Sequence, residues 1–368
     1  IKTYQTFDFL HIFLYNIDVA INYYLERNKR NLRSLNERLN ELPSFCSLFF
    51  IGIENQTTPL TRLNYATDLK VFFNYLLLEE KKRLGIYCDN ITQITLDNLK
   101  RVDSMTIERF LSYVSVYDNN DKNISRVNTE NGKSRKLSTL RSFFGYYFKK
   151  NLLDSNVASK VDIPKLHSKP IIRLETDEVS KILDISNKPE QFSAHQNKYL
   201  AHCSTRDNAM LTLMLGTGIR VSECVGLNVE DFDFSTNSFK VIRKGGNQTI
   251  LYFSDEVADV LKNYLAYRAT LKLDENEKAM FLSLQNKRLG VRSVENMVKK
   301  YAFVTTPLKS ITPHKLRSTY GTALYRETGN IYIVADVLGH KDINTTKKHY
   351  AAISEDMRKS VANKVKLK

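Results

Sequence analysis

The string VDIPKLHSKPII, residues 161–172, sets two prolines between two stretches of helical periodicity. Proline has no backbone N–H to donate and biases the residue before it away from helix, so no helix or central strand runs through Pro164 or Pro170. The chain is thereby divided. At 368 residues and 42% apolar content, it can bury a sizeable core on each side of such a break, and two domains are expected more readily than one.

Upstream, Ala66, Leu69, Phe73, Leu76 and Leu77 recur at helical spacing within residues 63–78, with Arg62 and Lys70 left for the outer surface. A second stripe, Leu137, Leu140, Phe144 and Tyr147, runs through a segment made strongly basic by Lys133, Arg135, Lys136, Arg141, Lys149 and Lys150. Such a face either meets solvent or tracks phosphates. Downstream, Thr176 with Asp177 and Glu178 signals a helix start, and helices follow with one short hairpin among them. Residues 4–42 read as helical and charged, without a legible role. The expected fold class is mainly α with a small antiparallel β-sheet (α+β).

Fifty-five Lys and Arg against forty Asp and Glu leave a formal charge of +15, which favours a polyanionic partner, nucleic acid first. Asp8, His11, Asn16 and Asp18 interrupt the most apolar early stretch, residues 7–25, so no bilayer-spanning helix is expected there, and no signal-peptide pattern is seen. Cys46, Cys88, Cys203 and Cys224 form no C-x-x-C pair, which argues against a zinc site or disulfide framework and fits a reducing cytoplasm.

Four local motifs in the second half hold the chemistry. Residues 207–215 form an apolar helix that Gly216 and Gly218 should end, so Arg220 emerges just past a helix terminus in GTGIRVSECVGL. Phe239 with Val241, and residues 250–253, read as strands about the turn Gly245, Gly246, Asn247, which places Lys244 at a hairpin tip. Thr312 and Pro313 open a helix in which His314 and Arg317 lie one turn apart, with Leu316, Tyr320, Ala323 and Leu324 as the buried stripe. A further helix, residues 331–338, ends at Gly339 and hands over to His340; Asn344 can then cap a short helix bearing Tyr350. Each residue alone has a bland reading: a surface arginine, a solvated lysine, a packing tyrosine. His349 faces another side of its helix and is read as a bystander.

Together the six suit cleavage of a phosphodiester. Arg220 and Arg317 can clamp the non-bridging oxygens and neutralise a pentavalent transition state, where one such donor is worth about 10² to 10³ in rate. A phenol with a pKa near 10 attacks poorly at neutral pH, and the departing sugar oxygen is more basic still, so both ends require proton management. Lys244 is the candidate general acid, its pKa drawn down by neighbouring cations; His314 is the base or relay for Tyr350, and His340 adds a hydrogen bond to the same phosphate.

At the strings GTGIRVSECVGL, RKGGN, TPHKLRSTYGTALY and VLGHKDINTTKKHY the chain resembles the tyrosine recombinase family, in particular its Xer-type and phage-integrase members. The likeness covers residues from about 174 onward and, more loosely, residues 55–160. It implies that Arg220, Lys244, His314, Arg317, His340 and Tyr350 form the catalytic set. Tyr350 would then form a 3′-phosphotyrosyl bond and free a 5′-hydroxyl, with neither metal nor ATP and no other cofactor. It further implies a C-shaped clamp on double-stranded DNA bearing paired inverted recognition sites, a homotetramer on two sites, and a Holliday junction. The location would be the bacterial cytoplasm, at the nucleoid. On this reading, residues 1–50 are an N-terminal extension and 51–162 a helical core-binding domain. Residues 163–173 form the linker, 174–352 the catalytic domain, and 353–368 a C-terminal helix for protomer contact, with Met357, Val361 and Val365 on one side. Arg62, Lys70, Lys133, Arg135, Lys136, Arg141, Lys165 and Lys169 are the expected DNA contacts.

Two departures stand out. Ten residues separate His340 from Tyr350 where nine is the commoner family spacing, so a longer or differently wound loop is expected; Ser318 stands where many relatives carry a histidine. Rival readings are a type IB topoisomerase and a catalytically silent DNA-binding regulator of the same fold. Metal-dependent nuclease chemistry is weaker, because Glu223, Glu230, Asp231 and Asp233 cluster locally without a dispersed carboxylate set.

Overall fold

The computed structural model describes residues 7–119, 124–165, 172–188, 200, 202–243, 246–339 and 343, the side chains of 7–22, 117–119 and 124–126 excepted. Two compact units divide the chain: Tyr24–Lys169, and Pro170–Lys368 with Ile1–Tyr23. Both are mainly helical with short antiparallel strands, the expected class. No described helix is long and apolar enough to cross a membrane.

In the unit Tyr24–Lys169, the latter part of α1 (Phe7–Leu39) is followed by α2 (Cys46–Gly52), α3 (Pro59–Glu79), α4 (Leu96–Lys100) and α5 (Ser104–Tyr113). A two-stranded hairpin, β1 (Val116–Asn119) and β2 (Ile124–Val127), then leads to α6 (Glu130–Lys149). Helix α3 begins where the Thr58 hydroxyl accepts from the Thr61 amide at 3.2 Å, with Pro59 in the first turn, where its missing N–H costs nothing. The core is aromatic: Phe49, Phe72, Phe73, Phe110, Phe143, Phe144 and Tyr147 are all essentially inaccessible. Phe143 meets Phe49 and Tyr147 edge to face, each pair of centroids 5.1 Å apart, the geometry that ring quadrupoles favour. Residues 24–50 contribute Leu35, Leu42, Cys46, Phe49 and Phe50 to this core.

The other unit is built on α8 (Ser204–Thr217), buried along most of its length, around which α7 (Thr176–Asn187), α10 (Asp255–Ala269) and α12 (Pro313–Thr328) gather. The four-residue α9 (Val221–Cys224) follows α8, and α11 (Val291–Thr305) lies between α10 and α12 in sequence. A three-stranded antiparallel sheet runs in the order β3 (Phe232–Asp233), β4 (Ser238–Ile242), β5 (Gln248–Tyr252), with Phe239 opposite Leu251 and Ile242 opposite Gln248. The last described helix, α13 (Ile331–Leu338), lays Val334 and Leu338 against Tyr320 and Leu324 of α12.

Three local readings change. Gly216 sits inside α8 rather than ending it; Gly218 ends it, in the left-handed region at φ 62°. In α12, Ala323 is exposed, and Gly321 and Thr322 take the buried side with Leu316. The hairpin expected in the second half gains a third strand, β3, and a separate hairpin, β1–β2, precedes α6. The expected helices around Tyr350 and over residues 353–368 lie outside the described residues, as does Asn344.

Candidate active site

Helix α8 stops at Gly218 because nothing larger fits there. Besides the positive φ, a Cβ on Gly218 would overlap the Tyr320 ring and lie 2.9 Å from Leu338 Cδ2. The chain then turns and presents Arg220 immediately before α9, its side chain 35% exposed. Glu223, 5% exposed, accepts twice from it: from Nη1 at 2.8 Å and from the Arg220 amide at 3.1 Å. The remaining terminal nitrogen, Nη2, donates to the Gly339 carbonyl at 3.1 Å.

Arg317 reaches the same place from α12. That helix opens with Thr312 in extended conformation and Pro313 in its first turn, as the sequence predicts, although the Thr312 side chain makes no capping bond. Arg317 is buried, 6% exposed; its Nη1 donates to the Gly218 carbonyl at 2.5 Å and its Nη2 to the Leu338 carbonyl. The two guanidiniums therefore bond to consecutive carbonyls at the end of α13. His314, one turn before Arg317, is exposed, and its carbonyl accepts from the Ser318 hydroxyl at 3.1 Å. Lys244, His340 and Tyr350 lie outside the described residues.

Glu223 has a role that the sequence reading did not assign to it. The sequence sets it beside Glu230, Asp231 and Asp233 only as part of a cluster too local for metal-dependent nuclease chemistry; in the structure it orients Arg220, while Asp231 accepts from the Asn228 amide and Asp233 from the Ser235 amide. The three-residue spacing from Arg220 was the available signal.

The expected DNA contacts sort by burial. Arg62 and Lys136 are corrected: at 6% and 4% exposed they are interior residues, because each has found a partner inside the unit. Arg62 donates to Glu54 at 2.5 Å, and Lys136 to Asn128 at 3.1 Å with Asp68 at 3.9 Å. Arg135 also pairs with Asp68 but stays half exposed. Arg141 donates to the Ala158 and Val161 carbonyls, and Lys70 pairs with Glu41 at 3.4 Å. Lys133 is half-buried and Lys165 exposed; Lys169 is outside the described residues.

With this geometry in place, the phage integrase family model matches residues 173–357. Among curated proteins, tyrosine recombinase XerC of Caldanaerobacter subterraneus is 30% identical over 318 residues, 83% of this chain and 82% of that protein. The chain belongs to the phage integrase family of tyrosine recombinases. XerC of Psychromonas ingrahamii is 34% identical over 213 residues, 58% of this chain and 67% of its own length. Among solved structures, the XerH site-specific recombinase bound to palindromic difH substrate, a post-cleavage complex, aligns with a TM-score of 0.59 at 20% identity, covering 80% of this chain and 77% of that one. A lambda integrase dimer bound to a COC′ core site aligns at 0.57 and 16% identity, covering 83% and 93%. This tyrosine recombinase thus shares their fold, and its family's activity is site-specific recombination, a DNA strand transfer. The relatives favour neither the topoisomerase nor the silent regulator.

Proposed function

We propose that this recombinase cleaves and rejoins DNA through Tyr350, without metal or ATP. The observation that supports this most is the convergence of Arg220 and Arg317 on the carbonyls of Leu338 and Gly339, one residue before His340. Two guanidiniums so close can share the non-bridging oxygens of one phosphate. The Tyr350 oxygen attacks phosphorus and gives its proton to His314; the 5′ oxygen leaves with a proton from Lys244, and His340 adds a hydrogen bond to the phosphate. The phosphotyrosyl link conserves the bond, so a 5′-hydroxyl from a second strand reverses the step.

In this reading the unit Tyr24–Lys169 holds the core-binding domain and the unit from Pro170 the catalytic domain. The palindromic substrate of XerH supports paired inverted sites here, hence four protomers on two sites and a Holliday junction. Residues 353–368 make the protomer contact, and the reaction takes place in the cytoplasm, at the nucleoid.

The test begins with genomic fragments trapped covalently on wild-type protein, whose sequencing gives the site. A nicked suicide duplex carrying that site should be captured by wild type, while Tyr350→Phe should bind it and capture none. Capture by Tyr350→Phe would remove the nucleophile assignment.

A further inference from the structure

We infer that Arg243 is a positioning residue for the proton donor of this reaction, Lys244, which follows it in the chain: it fastens the end of β4 to the C-terminal end of α13. The inference rests on the proposed role of Lys244 as general acid.

Arg243 follows directly on β4. Its amide donates to the Asn247 carbonyl at 2.8 Å, and its own carbonyl accepts from Gly246 N at 3.0 Å, so its backbone is tied to the start of the next strand. Its side chain leaves the hairpin. Nη2 donates to the Val337 carbonyl at 2.7 Å and Nη1 to the Asp336 carbonyl at 3.3 Å, more than ninety residues away in sequence. The fit against the helix end is close: a Cβ on Gly339, which holds φ 60°, would stand 2.5 Å from Arg243 Cζ. Glycine at 339 thus leaves the room that the guanidinium occupies.

The anchor has a consequence for catalysis because of what shares it. Arg317 bonds the Leu338 carbonyl and Arg220 the Gly339 carbonyl, so three arginines hold four successive carbonyls, residues 336–339. Two of them are the proposed phosphate clamp. The third directly precedes Lys244 in the chain. The end of β4, from which the chain passes into Lys244, is thereby referenced to the same short stretch of backbone as the groups proposed to hold the phosphate. A misplacement of about 1 Å in a proton donor costs on the order of 10² in rate.

The chemistry of the leaving group separates positioning of the acid from a general weakening of the fold. An alkoxide must be protonated as it departs, whereas a thiol with a pKa near 8.5 departs as thiolate without help. The probe is the nicked suicide duplex described above, made with an ordinary phosphodiester or with sulfur in place of the bridging 5′ oxygen. Arg243→Ala should cleave the ordinary duplex about 10²-fold more slowly than wild type and approach the wild-type rate on the sulfur duplex. Lys244→Ala should behave likewise, and Arg317→Ala should stay slow on both.

Should Arg243→Ala not fold, Arg243→Met keeps the apolar stem and removes both donors, and the same comparison applies. An Arg243 variant as fast as wild type on the oxygen duplex, or equally slow on both, overturns the inference while a rescued Lys244→Ala leaves the general acid standing. If Lys244→Ala itself is not rescued, the general-acid reading fails first and takes the inference with it.

Discussion

Adding one methyl group at Gly218 should cost this protein a large share of its stability, and the cost can be built from three glycines. Gly290, the residue before α11, has an ordinary φ of −89° and open space around its Cα. There, Ala loses a little capping preference and gains from a stiffer unfolded chain, so Gly290→Ala should stay within about 0.5 kcal/mol of wild type. Gly246 also has open space but sits at φ 86°, so Gly246→Ala meets backbone strain alone, about 1–2 kcal/mol. Gly218 combines φ 62° with the overlap on Tyr320 and the 2.9 Å approach to Leu338 Cδ2. Overpacking a tight interior adds about 1–3 kcal/mol, so Gly218→Ala should lose about 2–5 kcal/mol, against a typical domain stability of about 5–15. Urea unfolding followed by circular dichroism at 222 nm measures the series. Hydrogen exchange of peptides from residues 204–217 and 313–328 assigns the loss to α8 and α12. A Gly218→Ala cost no greater than that of Gly246→Ala would show that the Tyr320 and Leu338 contacts are not what demands a glycine.

Glu80 accepts from Tyr75, Arg83 and Arg109 at 2.8, 2.5 and 2.6 Å. Burial works to raise its carboxyl, but the two arginines and the tyrosine hydroxyl outweigh it and hold the pKa down, to about 2 from an ordinary 4.5. The resulting stabilisation, on the order of 3 kcal/mol, is present above pH 4.5 and lost as the pH falls towards 2. Glu80→Gln should flatten that limb of the stability curve, and an unchanged acid limb in urea titrations would contradict it. Burial also pushes the Cys46 and Cys203 thiols up and Cys224 to about 12, whereas Cys88 is half-buried, so a thiol reagent should react rapidly with one of four cysteines in the folded protein; fast reaction of two or more would refute this. Lys165→Ala should reduce the slope of log K for DNA against log salt by about 0.9 and Arg62→Met should leave it unchanged, as filter binding across a salt series would reveal. Cleavage of the suicide duplex should persist in EDTA, and its abolition would count against the tyrosine mechanism.

Helix boundaries were the most legible part of the sequence, because they are local. Gly218 and Gly339 end α8 and α13 in the left-handed region, and Thr312 with Pro313 opens α12, as their chemistry requires. The order of Arg220, His314 and Arg317 was equally plain, and folding brings the two arginines to neighbouring carbonyls. What was not legible depends on partners distant in sequence. The basic run on α6 reads as one charged face, yet Lys136 turns inward because Asp68, 68 positions earlier, waits inside with Arg135 and Thr139. Arg243 carries no periodic signal at all; only the approach of Gly339, 96 positions later, gives its guanidinium a place.

The end of α13 bears on how the arginines coexist before any substrate arrives. Three like charges crowd the last turn of an eight-residue helix, and the aligned peptide dipoles there supply roughly half an elementary negative charge. The helix thus serves as a built-in counter-ion that offsets part of their mutual repulsion. On the proposed reading, a phosphate would meet Arg220 and Arg317 already gathered at that helix end, without first having to draw the cations together.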